Sequence, residues 1–226
     1  MLLTHADHGG LVGGGLDTAA LLASFALGLF HGVNPAMGWL FALSFGLQEK
    51  SRRAVVRSLA WIVLGHEASV LPSALVITLF ASQVSRAVAM GVVAAALLVF
   101  GGVLLLRTRH FRWVGMRLRP WQLAWWSFLM STATGAGLML APVLLRTTGS
   151  HDHAVAGALS GDLGAAVVVA LVHAAGMALA AGVVALVVYQ VFGLRILRTH
   201  WINLDRLWAL AFVVAGLGVA VAWVSG

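Results

Sequence analysis

Leu27-Gly28-Leu29-Phe30-His31-Gly32-Val33-Asn34-Pro35-Ala36-Met37-Gly38-Trp39 lies in the middle of an apolar run that reaches from about Asp17 to Gln48. A histidine, an asparagine and a proline sit together where the flanking residues are hydrocarbon. Proline has no N–H for the helix ladder, and its ring clashes with the preceding turn. Gly32 and Gly38 on either side weaken the helix further. A spanning helix needs about 20 mostly apolar residues. The stretch therefore predicts a membrane helix broken at Gly32 and Pro35. Such a break is tolerated in a bilayer only where the freed backbone groups face protein or a water-filled cavity. Polar side chains at that depth mark a functional site.

Composition supports a membrane setting. Of 226 residues 61% are hydrophobic and 9% charged, and the mean hydropathy is +0.98. Soluble domains carry about 25% charged residues. The fold class expected is all-α, a polytopic membrane protein with six transmembrane helices. They run over Thr18 to Gln48 (broken near Pro35), Ser58 to Phe80, Ala87 to Leu106, Leu123 to Leu145, Ala165 to Phe192 and Leu207 to Val224. Residues 1–16, glycine-rich and with no basic residue, lack the pattern of a cleaved signal and are expected to form a flexible extracytoplasmic leader. Residues 17–226 form one transmembrane domain.

The formal net charge is +7. Its distribution speaks for topology and against nucleic acid. Lys50, Arg52, Arg53 and Arg57 follow the first span. Arg107, Arg109, Arg112, Arg117 and Arg119 follow the third, and Arg195, Arg198 and Arg206 the fifth. These twelve of the fourteen basic residues leave only Arg86 and Arg146 for the other loops. The positive-inside rule makes the three arginine-rich loops cytoplasmic and both termini extracytoplasmic, as in a bacterial inner membrane. Trp113, Trp121, Trp125, Trp126, Trp201 and Trp208 fall near the same interface, where an aromatic belt belongs. The lipid bilayer is thus the first partner, with a homo-oligomer or a larger membrane complex as further options.

Six spans divide into halves of about 17–106 and 121–226. Three helices per half give the halves opposite orientations, the condition for a 3+3 inverted repeat with a site where they meet. The fourth span, aligned with the first, carries Ser131-Thr132-Ala133-Thr134-Gly135-Ala136-Gly137-Leu138-Met139-Leu140-Ala141-Pro142. Gly135 and Pro142 interrupt it as Gly32 and Pro35 interrupt the first. Paired interruptions of this kind point to a transport site.

Few polar side chains lie within the spans. His31 and Asn34, at i and i+3, share a face if the helix continues that far, and Met37 follows them. His66 and Glu67 lie in the second span, with Ser69 and Ser73 on roughly the face of His66. His173 lies in the fifth, with Met177 at i+4. Together these supply nitrogen, oxygen and thioether donors. Imidazole suits zinc, copper, iron and nickel, and thioethers favour copper. Each histidine also fits a plainer role, a hydrogen bond to a neighbouring helix worth ~0.6 kcal/mol. The methionines also fit as core fillers, and Glu67 as a solvated residue near the inner interface.

His5, Asp7 and His8 in the leader and His151, Asp152 and His153 after the fourth span repeat a metal-capturing theme on the outer face. A solvated polar loop explains them equally. Asp162 either lines the outer mouth or caps the fifth helix.

The segment Gly28-Leu29-Phe30-His31-Gly32-Val33-Asn34-Pro35 resembles the first-helix signature of the nickel/cobalt (NicO-like) transporters, within the LysE-type superfamily of small polytopic proteins. His31 matches the signature's first histidine and Pro35 its proline. Asn34 stands where the family carries a carboxylate, and Met37 near its second histidine. Leu64-Gly65-His66 resembles the second polar helix, so the likeness covers Leu27 to Pro72. It implies a membrane transporter for a transition-metal cation, with the ion as substrate and no resident cofactor. The superfamily's cysteine-dependent electron carriers do not apply to a chain with no cysteine.

Three functions follow. The first is metal transport through His31, Asn34, Met37, His66, Glu67 and His173. Neutral imidazole is the ligating form, so binding is expected to weaken below about pH 6.5. The second is an integral subunit or assembly factor that holds haem or metal between the histidines. The third, an intramembrane hydrolase, has Ser69 one turn after His66 but no Gly-x-Ser-x-Gly elbow. The chain is expected not to be an enzyme.

Overall fold

The computed structural model describes residues 16–106, 119–148, 155–192 and 204–225. These residues are helical throughout, apart from short turns. In chain order they form α1 (Thr18–Val33), a 3-10 turn (Pro35–Met37), α2 (Trp39–Gln48), α3 (Arg52–Gln83) and α4 (Arg86–Leu106). Then come α5 (Gln122–Ala133), α6 (Ala136–Met139), α7 (Ala141–Thr147), α8 (Val155–Val187) ending in a π turn (Val188–Phe192), and α9 (Leu204–Ser225). Among the described residues three stretches are long and apolar enough to cross a membrane: Arg52–Gln83, Arg86–Leu106 and Gly161–Val191. The segments Thr18–Val33, Trp39–Gln48 and Ala209–Ser225 are apolar but shorter.

The helix that starts at Thr18 breaks where proline chemistry requires, though one residue choice differs from expectation. Gly32 stays inside the last turn of α1. The turn is made instead by Gly38, whose φ of +103° lies in the left-handed region that glycine enters without strain. The Asn34 N–H donates to the His31 carbonyl at 3.1 Å and closes α1. The Trp39 indole donates to the Val33 carbonyl at 3.0 Å and ties α2 back across the break. At the other end, the Asp17 carboxylate accepts from the Ala20 N–H and caps α1. Asp17→Ala is expected to cost ~1 kcal/mol, seen as a lower midpoint of thermal unfolding in detergent.

The helical segment that follows Trp121 is broken too. α5 stops at Ala133, and Gly135 has a φ of +67°. Pro142 occupies the first turn of α7, where its missing N–H costs nothing. Pro72 lies inside α3 without ending it.

Close helix approach explains the packing. α1 lies along α8, α3 along both α5 and α8, and α4 along α9. On the first seam a Cβ at Gly28 would strike the His173 carbonyl oxygen, one at Gly32 that of Met177, and one at Gly176 that of Phe25. On the second, a Cβ at Gly65 would strike the Ala124 carbonyl oxygen. Small residues that let backbones touch are the usual basis of helix association in lipid. Below, the end of the bundle that carries Lys50, Arg52, Arg53 and Arg57 is called the basic side, and the other end the far side.

A candidate site of three buried imidazoles

His31 from α1, His66 from α3 and His173 from α8 meet in the interior, each with no solvent exposure. The ring centroids of His31 and His66 are 4.8 Å apart, and those of His31 and His173 5.3 Å. His66 and His173 are 5.5 Å apart with their planes 17° from parallel. Three imidazoles bound to one ion through Zn–N bonds of ~2.0–2.1 Å would have centroids about 5 Å apart, so the spacing suits ligation. The ring orientations do not yet suit it. Among the described residues no group of three His, Cys, Asp or Glu side chains is set to hold a metal. The near-parallel rings of His66 and His173 would have to turn about χ2, a soft torsion for histidine.

Each ring is positioned by its surroundings. His31 occupies the last turn of α1, just before the break. The glycine seam brings α8 against α1 at the level of His173, and the buried Ser24 hydroxyl donates to the Val169 carbonyl at 2.6 Å on the same seam. His66 Nδ1 lies 2.8 Å from the Ser131 hydroxyl on α5, while its Nε2 has no hydrogen-bond partner among the described residues. The His173 imidazole faces the Ser24 backbone of α1. Ser131 was named in the sequence only as part of a broken, hydroxyl-rich span. Its register opposite His66 depends on the α3–α5 seam, which local sequence does not reveal. Ser131→Ala should cost about 0.6–1.7 kcal/mol, the range for interhelical hydrogen bonds in membranes, again read as a thermal midpoint in detergent.

Asn34 is buried, but it follows the end of α1 with an extended backbone (ψ 121°), so the shared helical face with His31 does not arise. Met37 packs in an apolar cluster with Leu43, Ile62, Leu123 and Met177. Glu67 adjoins His66, and neighbouring helical positions point about 100° apart. Its carboxylate is buried, with no hydrogen-bond partner among the described residues. Asp162 lies inside α8 and is not its cap. His5, Asp7, His8, His151, Asp152 and His153 lie outside the described residues.

The two sides of the trio differ. Toward the basic side, the cluster of Met37, Leu43, Ile62, Leu123 and Met177 separates it from a surface cleft beside Lys50, Arg52 and Tyr189. Toward the far side, a cleft of about 420 Å³ lies between α3, α4 and the broken segment α5–α6, and Ser131 is in its wall. Comparison with protein-family models, curated proteins and solved structures found no match.

The Ser131–His66 pair also bears on hydrolysis. Ser69, the nucleophile suggested by sequence spacing, pairs instead with the Thr132 hydroxyl at 2.9 Å. Ser131 does face a base, but no carboxylate among the described residues orients that base, since His66 Nε2 has no partner. A nucleophile–base pair needs such a third group. Incubation with a fluorophosphonate probe is expected to leave Ser131 unlabelled, as read by mass spectrometry.

Proposed function

We propose that the chain is a membrane transporter for a transition-metal cation, with the imidazoles of His31, His66 and His173 as the ligands at mid-membrane. The convergence of three buried imidazoles from three separate helices carries this reading. Ionisable groups inside a membrane are costly, and where they gather they mark ion or substrate pathways. The resemblance of Gly28 to Pro35 to the nickel/cobalt transporters points the same way. Asn34, Met37 and Glu67 remain assigned to this site, to be reached on rearrangement of the break.

Six spans in a 3+3 inverted repeat fit the packing well. The breaks at Pro35 and Gly135 fall in the first and fourth spans, and His66 and His173 in the second and fifth. Exchanging the halves turns the α1–α8 seam into the α3–α5 seam and α4–α9 into itself. On this reading His66 and His173 are counterparts across a pseudo-twofold axis, while His31 belongs to one half alone. The arginine-rich side is cytoplasmic, in an inner membrane, with both termini outside.

The haem-holding alternative is weakened by the glycine seam. Gly28 and Gly176 bring the backbones of α1 and α8 together with no side chain between, which leaves no slot for a macrocycle between His31 and His173.

The test is uptake of Ni²⁺, Co²⁺, Zn²⁺ and Cu⁺ into proteoliposomes, with protein-free liposomes as the blank. Uptake of any of the four above the blank supports the reading. Uptake of none, by protein shown to be monodisperse, overturns it.

A further inference from the structure

We propose that the cleft on the far side is the passage by which a hydrated metal cation reaches the imidazoles, narrowed along its length by Phe100 and Gly135. The proposal rests on the transport reading and adds a route to it.

Four hydroxyls line the cleft beside an apolar wall of Pro72, Val76, Ile77, Phe100 and Leu138. Ser73, Ser69, Thr132 and Ser131 all line it. The Ser73 hydroxyl donates to the Ser69 carbonyl at 2.8 Å, Ser69 pairs with Thr132 at 2.9 Å, and Ser131 lies 2.8 Å from His66 Nδ1. The last of these hydroxyls is thus in direct contact with the imidazole trio. From Ser69 to Ile77 the wall follows α3 for about 12 Å, at 1.5 Å per residue. That carries the cleft from the level of His66 well toward the far side. A volume of about 420 Å³ exceeds by more than tenfold the ~30 Å³ share of one liquid water. It is ample for an ion with its inner hydration shell.

Part-way along the cleft Phe100 covers Gly135. Gly135 adopts φ +67°, and a Cβ there would come within 2.6 Å of the Phe100 ring. Phe100 of α4 also lies against Phe212 of α9, with centroids 5.2 Å apart. α3 and α4 touch only sparsely, so the Phe100 side of the cleft is the less constrained one. A helix break lined by hydroxyls is what a membrane tolerates beside a water-filled cavity. The competing reading is a notch filled by lipid tails, with the hydroxyls acting only as helix–helix bonds.

The chain contains no cysteine, so each introduced thiol reports alone. Single variants Ser73→Cys and Thr132→Cys sample the cleft, and Val99→Cys, at a position 66% exposed on α4, samples the lipid-facing surface. Each is treated, in right-side-out and in inverted membrane vesicles, with a charged, membrane-impermeant methanethiosulfonate and with a lipid-soluble maleimide. The passage predicts that Ser73→Cys and Thr132→Cys react with the charged reagent from one side only, at least tenfold faster than Val99→Cys. Adding Phe100→Ala should speed the Thr132→Cys reaction severalfold. Modification of both cleft cysteines by the maleimide alone overturns the proposal and assigns the cleft to lipid. If Thr132→Cys does not fold, Ser73→Cys in the same cleft decides. Labelling does not depend on which ion moves. A labelled cleft without metal uptake sustains the passage and removes the cation, whereas an unlabelled cleft with uptake removes the passage alone.

Discussion

His31→Ala is expected to reduce metal uptake in proteoliposomes by roughly 100-fold or more. Loss of a partner one shell out from a metal already costs about 10–100-fold, and His31 is proposed as a direct ligand. Its ring is the one perpendicular to the other two, at 69° to His66 and 79° to His173. It is also the only one of the three set at the break. Because His31 is fully buried, alanine also leaves a cavity, and part of any loss could come from instability. His31→Gln separates the two effects, since it keeps most of the volume and a polar end but not an imidazole. Both variants should elute as the wild type does on size exclusion, and both should lose uptake. Uptake equal to wild type in His31→Ala and His31→Gln would take His31 out of the mechanism.

The second large effect concerns the fold. Gly65→Val should abolish recovery of monodisperse protein, or lower stability by at least ~3 kcal/mol, the upper end of ordinary overpacking costs. The atom in the way is the Ala124 backbone carbonyl oxygen. Backbone of this kind cannot swing aside as a side chain does, so α3 and α5 would have to part. Parting them would also break the His66–Ser131 contact. Gly102→Ala in α4 is the control, because a Cβ there meets nothing within 4 Å. Alanine is the better helix former by about 1 kcal/mol, so that variant should be unchanged or slightly more stable. Equal stability of Gly65→Val and Gly102→Ala in the same detergent would show that the α3–α5 seam is not as close as described.

Helix positions were largely legible because apolar runs and proline breaks are local signals. Arg86–Leu106 was expected within one residue of its start. The three histidines could be named for the same reason, since imidazole among hydrocarbon needs no partner to be conspicuous. What belongs to tertiary register was not legible. Asn34 and Met37 were grouped with His31 by helical spacing, and the turn at Pro35–Met37 ended that spacing. Gly32 read as a breaker because glycine weakens helices, but against the Met177 carbonyl its missing Cβ serves packing. Ser131 opposite His66 depends on two helices distant in the chain, and no periodicity within either one reports it.

Where Gly28, Gly32 and Gly176 set carbonyl against Cα, α1 and α8 have no cushion of side chains on which to shear. Sliding them by even part of a turn would drive the neighbouring side chains into opposing main chain. That pair is expected to move as one body. On the transport reading, rocking that opens the imidazoles to one compartment and then the other is expected on the opposite flank, where α4 and α9 pack along each other like one door leaf.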